Sequence, residues 1–409
     1  MRFGLVGGNL SYSHSKRIHE ALFGYEYEMR SLDEAGFDSL LSSRDFAGLN
    51  VTNPYKTRVL RFLDSVSLEA EKIGCVNTVV REKDGTLSGH NTDFAGFLYM
   101  LRRAGIDPAG KKTLILGSGA TSKTARAALS SLGAGELVNI SRSGEDNYGN
   151  LSRHSDAQII VNTTPVGTHP NCRDRLIDLA DFPKLAGVAD VVYNPLKTAL
   201  TLQAEELAVP HTSGLPMLVA QAAYAGELFT DGKLPDGKIE QVLAELTRSL
   251  KNIVLVGMPG SGKSTVGRLI SDISGRAFFD TDDEVVKAAG TAIPEIFAKQ
   301  GEKVFRDIEA EVTEKRLLQN GLVVSTGGGA VLRRENIDAM RRNGFVVWLT
   351  RKTSQLATNG RPLSSDAVAL DKMLAERGAY YERASDAAVQ NINAEDSARE
   401  IWRLFNENN

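Results

Sequence analysis

The sequence predicts an α/β protein with mostly parallel sheets. Short apolar runs alternate with helical patterns along its 409 residues, and three of those runs end in a glycine-rich turn that opens into a helix. The first unit is Phe3-Gly-Leu-Val-Gly-Gly, at the start of the chain. The second is Thr113-Leu-Ile-Leu-Gly-Ser-Gly119, followed by a helical pattern over Ser122–Leu132. The third is Asn252-Ile-Val-Leu-Val-Gly-Met-Pro-Gly-Ser-Gly-Lys263, followed by Ser264–Ser274. A chain of this length exceeds one ordinary core, so two or three domains are expected. The turn-rich segment Thr230-Asp-Gly-Lys-Leu-Pro-Asp-Gly-Lys238 lies between the second and third units. Ile239, Val242, Leu243, Leu246 and Leu250 then form a helical stripe, which puts a boundary near Leu250.

Composition narrows the function classes. A net charge of −3 supplies no concentrated basic face for nucleic acid or an acidic membrane, so neither is expected as a partner. Cys75 and Cys172 are too few for a disulfide framework or a zinc site, which favours a reducing compartment. The first apolar run is too short for a signal peptide, and no run approaches the roughly 20 residues of a membrane span. A cytoplasmic protein is expected.

In the C-terminal half, Gly257-Met-Pro-Gly260-Ser-Gly262-Lys263-Ser264 fits the P-loop pattern without mismatch, with Thr265 next in the helix. The glycines let backbone N–H groups turn inward around the phosphates of ATP. Lys263 adds a point charge, and the Ser264 hydroxyl can ligate Mg²⁺. Downstream, Phe278-Phe-Asp280-Thr-Asp282 ends an apolar run in two acids. Two residues apart on a strand end, they share a side, one for the metal shell and one for an acceptor hydroxyl. The alternative is a helix N-cap. Then come Gly301-Glu-Lys-Val-Phe-Arg306-Asp, a strand at Leu322–Thr326 ending in Gly327-Gly328-Gly329, Arg361-Pro-Leu, and Glu376-Arg377-Gly-Ala-Tyr-Tyr. The glycine triplet is either a tight turn or a place where backbone approaches a ligand.

In that order these motifs resemble shikimate kinase from Lys251 onward. The resemblance implies that Asp282 accepts the proton of the substrate hydroxyl and that Asp280 supports Mg²⁺. Arg306 and Arg377 would clamp the shikimate carboxylate beside the Gly328–Gly329 backbone. Arg361 would act from a lid on the transferring phosphoryl group. The lid around Gln355–Arg361 is several residues shorter than usual, and Thr358 stands where many members carry an adenine-stacking arginine.

In the N-terminal half, Leu49-Asn-Val-Thr52-Asn-Pro-Tyr-Lys56 reads as a strand ending at a turn, and Gly89-His-Asn-Thr-Asp93 closes another run after the hairpin-like Lys83-Asp-Gly-Thr. A lysine and an aspartate at strand ends can hold an ammonium near a carbonyl oxygen and move a proton while hydride moves to carbon. Lys56 alone also reads as a surface lysine. Gly117-Ser-Gly119-Ala120-Thr-Ser lies between strand and helix, where a dinucleotide pyrophosphate rests in a Rossmann-like fold. The next strand ends at Asn139-Ile-Ser141-Arg142 without an acid for ribose hydroxyls. Ser141 and Arg142 there favour the 2′-phosphate of NADP.

These segments resemble shikimate dehydrogenase over about residues 1–248. Ser13-His-Ser15 looks like the family's carboxylate-binding serine pair, and Cys75-Val-Asn77-Thr, Asn162-Thr-Thr-Pro, Tyr193-Asn-Pro-Leu and Gly214-Leu-Pro-Met-Leu-Val-Ala-Gln221 follow in family order. The resemblance implies Lys56 and Asp93 as the catalytic pair, with Ser13, Ser15, Thr52, Asn77 and Gln221 gripping the substrate. The cofactor would lie along Gly117, Gly119, Ala120, Asn139, Ser141, Arg142, Tyr193 and Gly214. Lys16 stands where a proline commonly follows the serines, and Ile140 where NADP-specific members often have arginine.

The expected organisation is a dehydrogenase-like region over 1–250 followed by a P-loop α/β kinase domain over 251–409. The first would comprise a substrate part at about 1–100 and 225–250 and a Rossmann-like part at about 101–224. Shikimate is the product of one resemblance and the substrate of the other. The expected activities are therefore NADPH-dependent reduction of 3-dehydroshikimate and Mg²⁺/ATP-dependent phosphorylation of shikimate at its 3-hydroxyl. A quinate-type dehydrogenase–kinase pair is the first alternative, against which Ser13 and Ser15 argue. The second is a regulatory binding protein, against which Lys56, Asp93, Lys263 and Asp282 together argue.

Overall fold

The computed structural model describes residues 2–10, 13–356 and 367–408, without the side chains of residues 367 and 368. The chain divides into two compact units, Met1–Asn194 with Thr198–Leu246, and Thr247–Asn409 with Pro195–Lys197. No helix among the described residues is long and apolar enough to cross a membrane.

The first unit holds two sheets. In one, β1 (Phe3–Gly7), β2 (Glu28–Ser31), β3 (Gly48–Val51), β4 (Ser65–Val66), β5 (Thr78–Arg81) and β6 (Leu87–His90) lie in the order β2-β1-β3-β5-β6-β4. This sheet is mixed, not parallel throughout. β5 runs antiparallel to β3 and to β6, and the short turn through Lys83-Asp-Gly-Thr accounts for the second pair by folding the chain straight back. The other sheet, β7 (Thr113–Leu116), β8 (Leu137–Ile140), β9 (Ile159–Asn162), β10 (Gly187–Asp190) and β11 (His211–Thr212), is parallel in the order β11-β10-β9-β7-β8. The order reverses at β7, so the turn after β7 lies at the crevice where α/β sheets bind ligands. Alternate residues of these strands feed two cores. Ile115, Ile159 and Val161 pack with Phe97, Met100 and Leu129, while Leu114, Leu116 and Ile160 pack with Phe182 and Leu200.

The second unit has one parallel sheet, β12 (Asn252–Val256), β13 (Phe278–Asp280), β14 (Val323–Ser325), β15 (Gly344–Thr350) and β16 (Ala387–Gln390), in the order β13-β14-β12-β15-β16. β12 is buried along its whole length and feeds the P-loop at the switch point between β14 and β15. The glycine turns open into helices slightly earlier than the pattern indicates, at Ala120–Ser131 and Lys263–Ser274.

Two acids sit differently from expectation. β6 ends at His90, Asn91 caps the helix Thr92–Arg103 by accepting from the Phe94 N–H, and Asp93 falls in the first helical turn. Likewise β13 ends at Asp280, whose Oδ1 accepts from the Asp282 N–H at 3.0 Å, so Asp282 also lies on a first helical turn. A short side chain with an oxygen three bonds from Cα outcompetes strand alternation here, because it satisfies an orphan helix N–H.

A buried histidine gives the first unit an acid sensitivity. His19, on the helix Ser15–Phe23, stacks on Tyr27 with ring centroids 4.0 Å apart, and its Nδ1 lies 2.6 Å from the Tyr25 hydroxyl. Burial holds its pKa down at about 3. The folded value is below the unfolded one near 6.5, so unfolding takes up a proton. The stability is intact above about pH 6.5 and is lost as pH falls toward 3. Roughly 3 kcal/mol should disappear between pH 7 and 4.5 from this group. Urea titrations followed by circular dichroism should show that slope, and His19→Gln should flatten it.

Candidate active sites

In the first unit the Lys56 ammonium lies 2.6 Å from Asp93 Oδ2, with the two side chains 14% and 12% exposed. The turn after β3 delivers the lysine, and the Val76 N–H fixes its backbone by donating to the Lys56 carbonyl. The helix start that carries Asp93 is pinned from below. Asn77 Oδ1 accepts from the Thr92 N–H at 2.7 Å, and Asn77 Nδ2 donates to Thr92 Oγ1. Behind them runs a buried chain from the Tyr27 hydroxyl to Asn50 Oδ1, from Asn50 Nδ2 to Thr78 Oγ1, and on to Thr92 Oγ1. Much of the hydrogen-bonding capacity of Asn77 is therefore spent on positioning Thr92 and Asp93. Ser13 donates to Ser15 Oγ at 3.1 Å and accepts from the Ser15 N–H, so the two hydroxyls form a pair at the start of a helix. His14, between them, lies edge-on to Tyr193 at 6.0 Å. Thr52 donates its N–H to the Val6 carbonyl, and its methyl closes on Gly7. Gln221 packs against Gly96, one turn beyond Asp93 on the same helix.

The turn after β7 suits a pyrophosphate. Gly117 has φ 118°, which disfavours any side chain, whereas a Cβ built on Gly119 meets nothing within 4 Å. The space over this turn, at the N-terminus of Ala120–Ser131, is open to an anion. Asn139 braces the turn from below, donating to Ser122 Oγ at 2.6 Å and to the Gly117 carbonyl, while Arg126 donates to its Oδ1. Its polar atoms serve the cradle. Ile140 is wholly buried in the core beneath β8, so its position presents no side chain to a ribose phosphate. Ser141 and Arg142, just past the strand, are partly and fully exposed. A Cβ on Gly214 would lie 2.0 Å from the Val191 carbonyl oxygen, so this glycine is needed for the segment carrying Tyr193 to pass.

Sequence reasoning missed Asp190. It is fully buried at the end of β10 and accepts from the Val192 N–H, Asn162 Nδ2 and the Thr198 hydroxyl, tying together the loops after β9 and β10. Burial pushes its carboxyl up to about 6 despite those three donors. The sole signal was an acid three residues before Tyr193.

In the second unit one cavity of about 770 Å³ is lined by Gly260, Gly262, Lys263, Ser264, Thr265, Asp280, Asp282, Arg306, the Gly327–Gly329 strip and Arg377. Gly257, Gly260 and Gly262 all have positive φ, as an inward-turned phosphate loop requires. Lys263 reaches back to the Gly257 and Met258 carbonyls at 2.9 and 3.0 Å. Ser264 Oγ lies 2.5 Å from Asp280 Oδ2, a hydroxyl and a carboxylate oxygen side by side, which is the hard-oxygen pair that suits Mg²⁺. At the other end Arg306 Nη1 donates to Glu309 at 2.7 Å, and Arg377 Nη1 and the Tyr381 hydroxyl both donate to the Gly328 carbonyl. Glu309, also unforeseen, has no exposed surface. Burial raises its carboxyl above the ordinary range, partly offset by Arg306.

The glycine triplet is a close approach and not merely a turn. A Cβ on Gly327 would sit 2.5 Å from Glu309 Oε1 and 2.8 Å from Asp282 Oδ1. One on Gly328 would strike Pro259, and one on Gly329 would enter the Arg306 guanidinium at 2.3–2.6 Å. Gly329→Ala should therefore displace a guanidinium that Glu309 otherwise fixes. Steady-state assays should show the KM for the phosphoryl acceptor rising at least about tenfold, with melting temperature nearly unchanged. Arg361 and Thr358 lie outside the described residues.

Comparison with known proteins adds to this geometry. Residues 259–405 match the family model described as shikimate kinase, and residues 5–79 match that of the shikimate dehydrogenase substrate binding domain. Shikimate dehydrogenase (NADP(+)) of Clostridium perfringens (strain SM101 / Type A) is 32% identical over 265 residues, covering 60% of this chain and 97% of that protein. Among solved structures, shikimate 5-dehydrogenase from Thermus thermophilus in complex with NADP(H) and shikimate is 30% identical, with a TM-score of 0.54 over 60% of this chain and 99% of that one. Quinate dehydrogenase from Corynebacterium glutamicum in complex with NAD is 27% identical, with a TM-score of 0.55 over the same shares.

Proposed function

Because the chain belongs to the shikimate dehydrogenase family over about three fifths of its length and carries a shikimate kinase domain behind it, we propose that Lys56 and Asp93 run its reduction step and Asp282 its phosphorylation step. The protein is a bifunctional enzyme of the shikimate pathway, an NADP-dependent dehydrogenase joined to an ATP-dependent kinase. Bound NADPH supplies the hydride, and Mg²⁺ neutralises charge on the ATP polyphosphate.

The 2.6 Å contact between Lys56 and Asp93 carries the first assignment. As hydride reaches the C3 carbonyl of 3-dehydroshikimate, the Lys56 ammonium gives its proton to the developing alkoxide, and Asp93 keeps that ammonium aimed. Ser13 and Ser15 hold the carboxylate, with Thr52, Asn77 and Gln221 around the ring hydroxyls. Gly117, Gly119 and Ala120 would cradle the dinucleotide pyrophosphate, and Ser141 and Arg142 its 2′-phosphate. Tyr193 and Gly214 would shape the far end of the cofactor groove.

In the kinase, Asp282 takes the proton of the 3-hydroxyl while Lys263 and the P-loop amides stabilise charge on the transferring group. Arg306 and Arg377 clamp the carboxylate against Gly328–Gly329, and Ser264 with Asp280 holds the metal. Arg361 completes this set from the following segment. The division near residue 250 and a cytoplasmic location belong to the same proposal, the latter supported by two buried free cysteines. The quinate-type reading shares the fold, and the paired hydroxyls of Ser13 and Ser15 favour shikimate over it. A coupled assay supplying 3-dehydroshikimate, NADPH or NADH, and ATP tests the whole reading. Shikimate 3-phosphate should accumulate with NADPH, and its absence would refute the two-step assignment.

A further inference from the structure

The kinase cavity contains a cation that no described residue supplies with a counter-charge. Arg351 is the first residue after β15, the strand beside β12, and its side chain lines the same cavity as the P-loop. One guanidinium nitrogen lies 4.0 Å from where a Cβ on Gly262 would stand. Gly262 caps the helix Lys263–Ser274, so this is the point where the helix amides open toward phosphate. Asn391 closes the same corner by donating to the Ser261 carbonyl at 2.7 Å.

The other cavity arginines are already engaged within the protein. Arg306 pairs with Glu309 and Glu302, and Arg377 donates to the Gly328 carbonyl. Arg351 has no ion pair or hydrogen bond with any described residue, and its Nε is shut off from solvent without a partner. A desolvated, unpaired guanidinium N–H is costly, and folded proteins rarely keep one unless a ligand supplies the acceptor. The fork also matches phosphate oxygens better than a point charge does. Its guanidinium approaches the P-loop at Gly262.

We infer that Arg351 binds the nucleotide polyphosphate, on the phosphates common to ATP and ADP. The inference rests on the kinase reading of this unit. The test is calorimetric titration of the full chain with Mg·ADP and, separately, with shikimate, for the unsubstituted protein, Arg351→Gln and Arg351→Lys. Losing a charge-assisted contact should raise the Kd for ADP about ten- to a hundredfold in Arg351→Gln, with partial recovery in Arg351→Lys. Shikimate affinity and the reductase rate should stay within twofold. The melting temperature without nucleotide should hold or rise, whereas an arginine kept for structure would lower it. An ADP Kd unchanged in Arg351→Gln, with or without a fall in kcat, would overturn the inference while leaving the kinase reading intact. Failure of the unsubstituted chain to bind ADP would overturn both.

Discussion

Lys56→Ala should reduce turnover of 3-dehydroshikimate by about 10²- to 10⁴-fold, the usual contribution of a positioned general acid–base, while phosphorylation of added shikimate stays within twofold. The separation follows from geometry. Lys56 belongs to the turn after β3 and meets Asp93, and no residue of the P-loop cavity belongs to that unit. Removing the ammonium leaves the Asp93 carboxylate without its partner at a site that is only 12% exposed. Lys56→Ala should therefore also lose more stability than Lys56→Met, whose apolar stem still fills the pocket. Loss of both activities in a folded Lys56→Ala protein would sink the two-site assignment.

The converse substitution, Asp282→Asn, should reduce phosphorylation by about 10²- to 10⁴-fold and leave reduction unchanged. The amide is isosteric and keeps the helix start, since the cap depends on Asp280 and the Asp282 N–H, not on the Asp282 side chain. What it loses is the capacity to take the hydroxyl proton. Shikimate binding should persist, because the proposed carboxylate clamp is Arg306 with Arg377 and not Asp282. Nucleotide binding should hold or tighten slightly, with one negative charge fewer in the cavity. A kcat that survives this change would assign proton removal elsewhere, and Glu309 would be the next candidate, since both carboxylates face Gly327.

Contiguous chemistry is readable in advance. A phosphate loop must place its glycines, lysine and serine within one turn, so Gly257–Ser264 announces itself, as does the turn at Gly117. Partnerships across the chain are legible only through the order of motifs, which is how Lys56 meets Asp93. The two misplaced acids share a cause. Strand alternation does not extend into Asp93 and Asp282, because Asn91 and Asp280 have already begun helices there. β5 alone runs against its neighbours, and its pairing with β6 follows the hairpin-like Lys83-Asp-Gly-Thr turn already visible in the sequence. Glu309, Asp190 and Arg351 are invisible for another reason. An isolated acid or arginine reads as solvated, and only packing reveals that it lost its water.

Asp280 has one oxygen on the Asp282 N–H and the other on the Ser264 hydroxyl. That single carboxylate makes the proposed proton acceptor and the proposed metal mount parts of one lever. On that proposal, a substitution at Asp280 should loosen the metal and the helix start bearing Asp282 together. On the same proposal, nucleotide affinity is tuned separately only through cavity residues outside the lever.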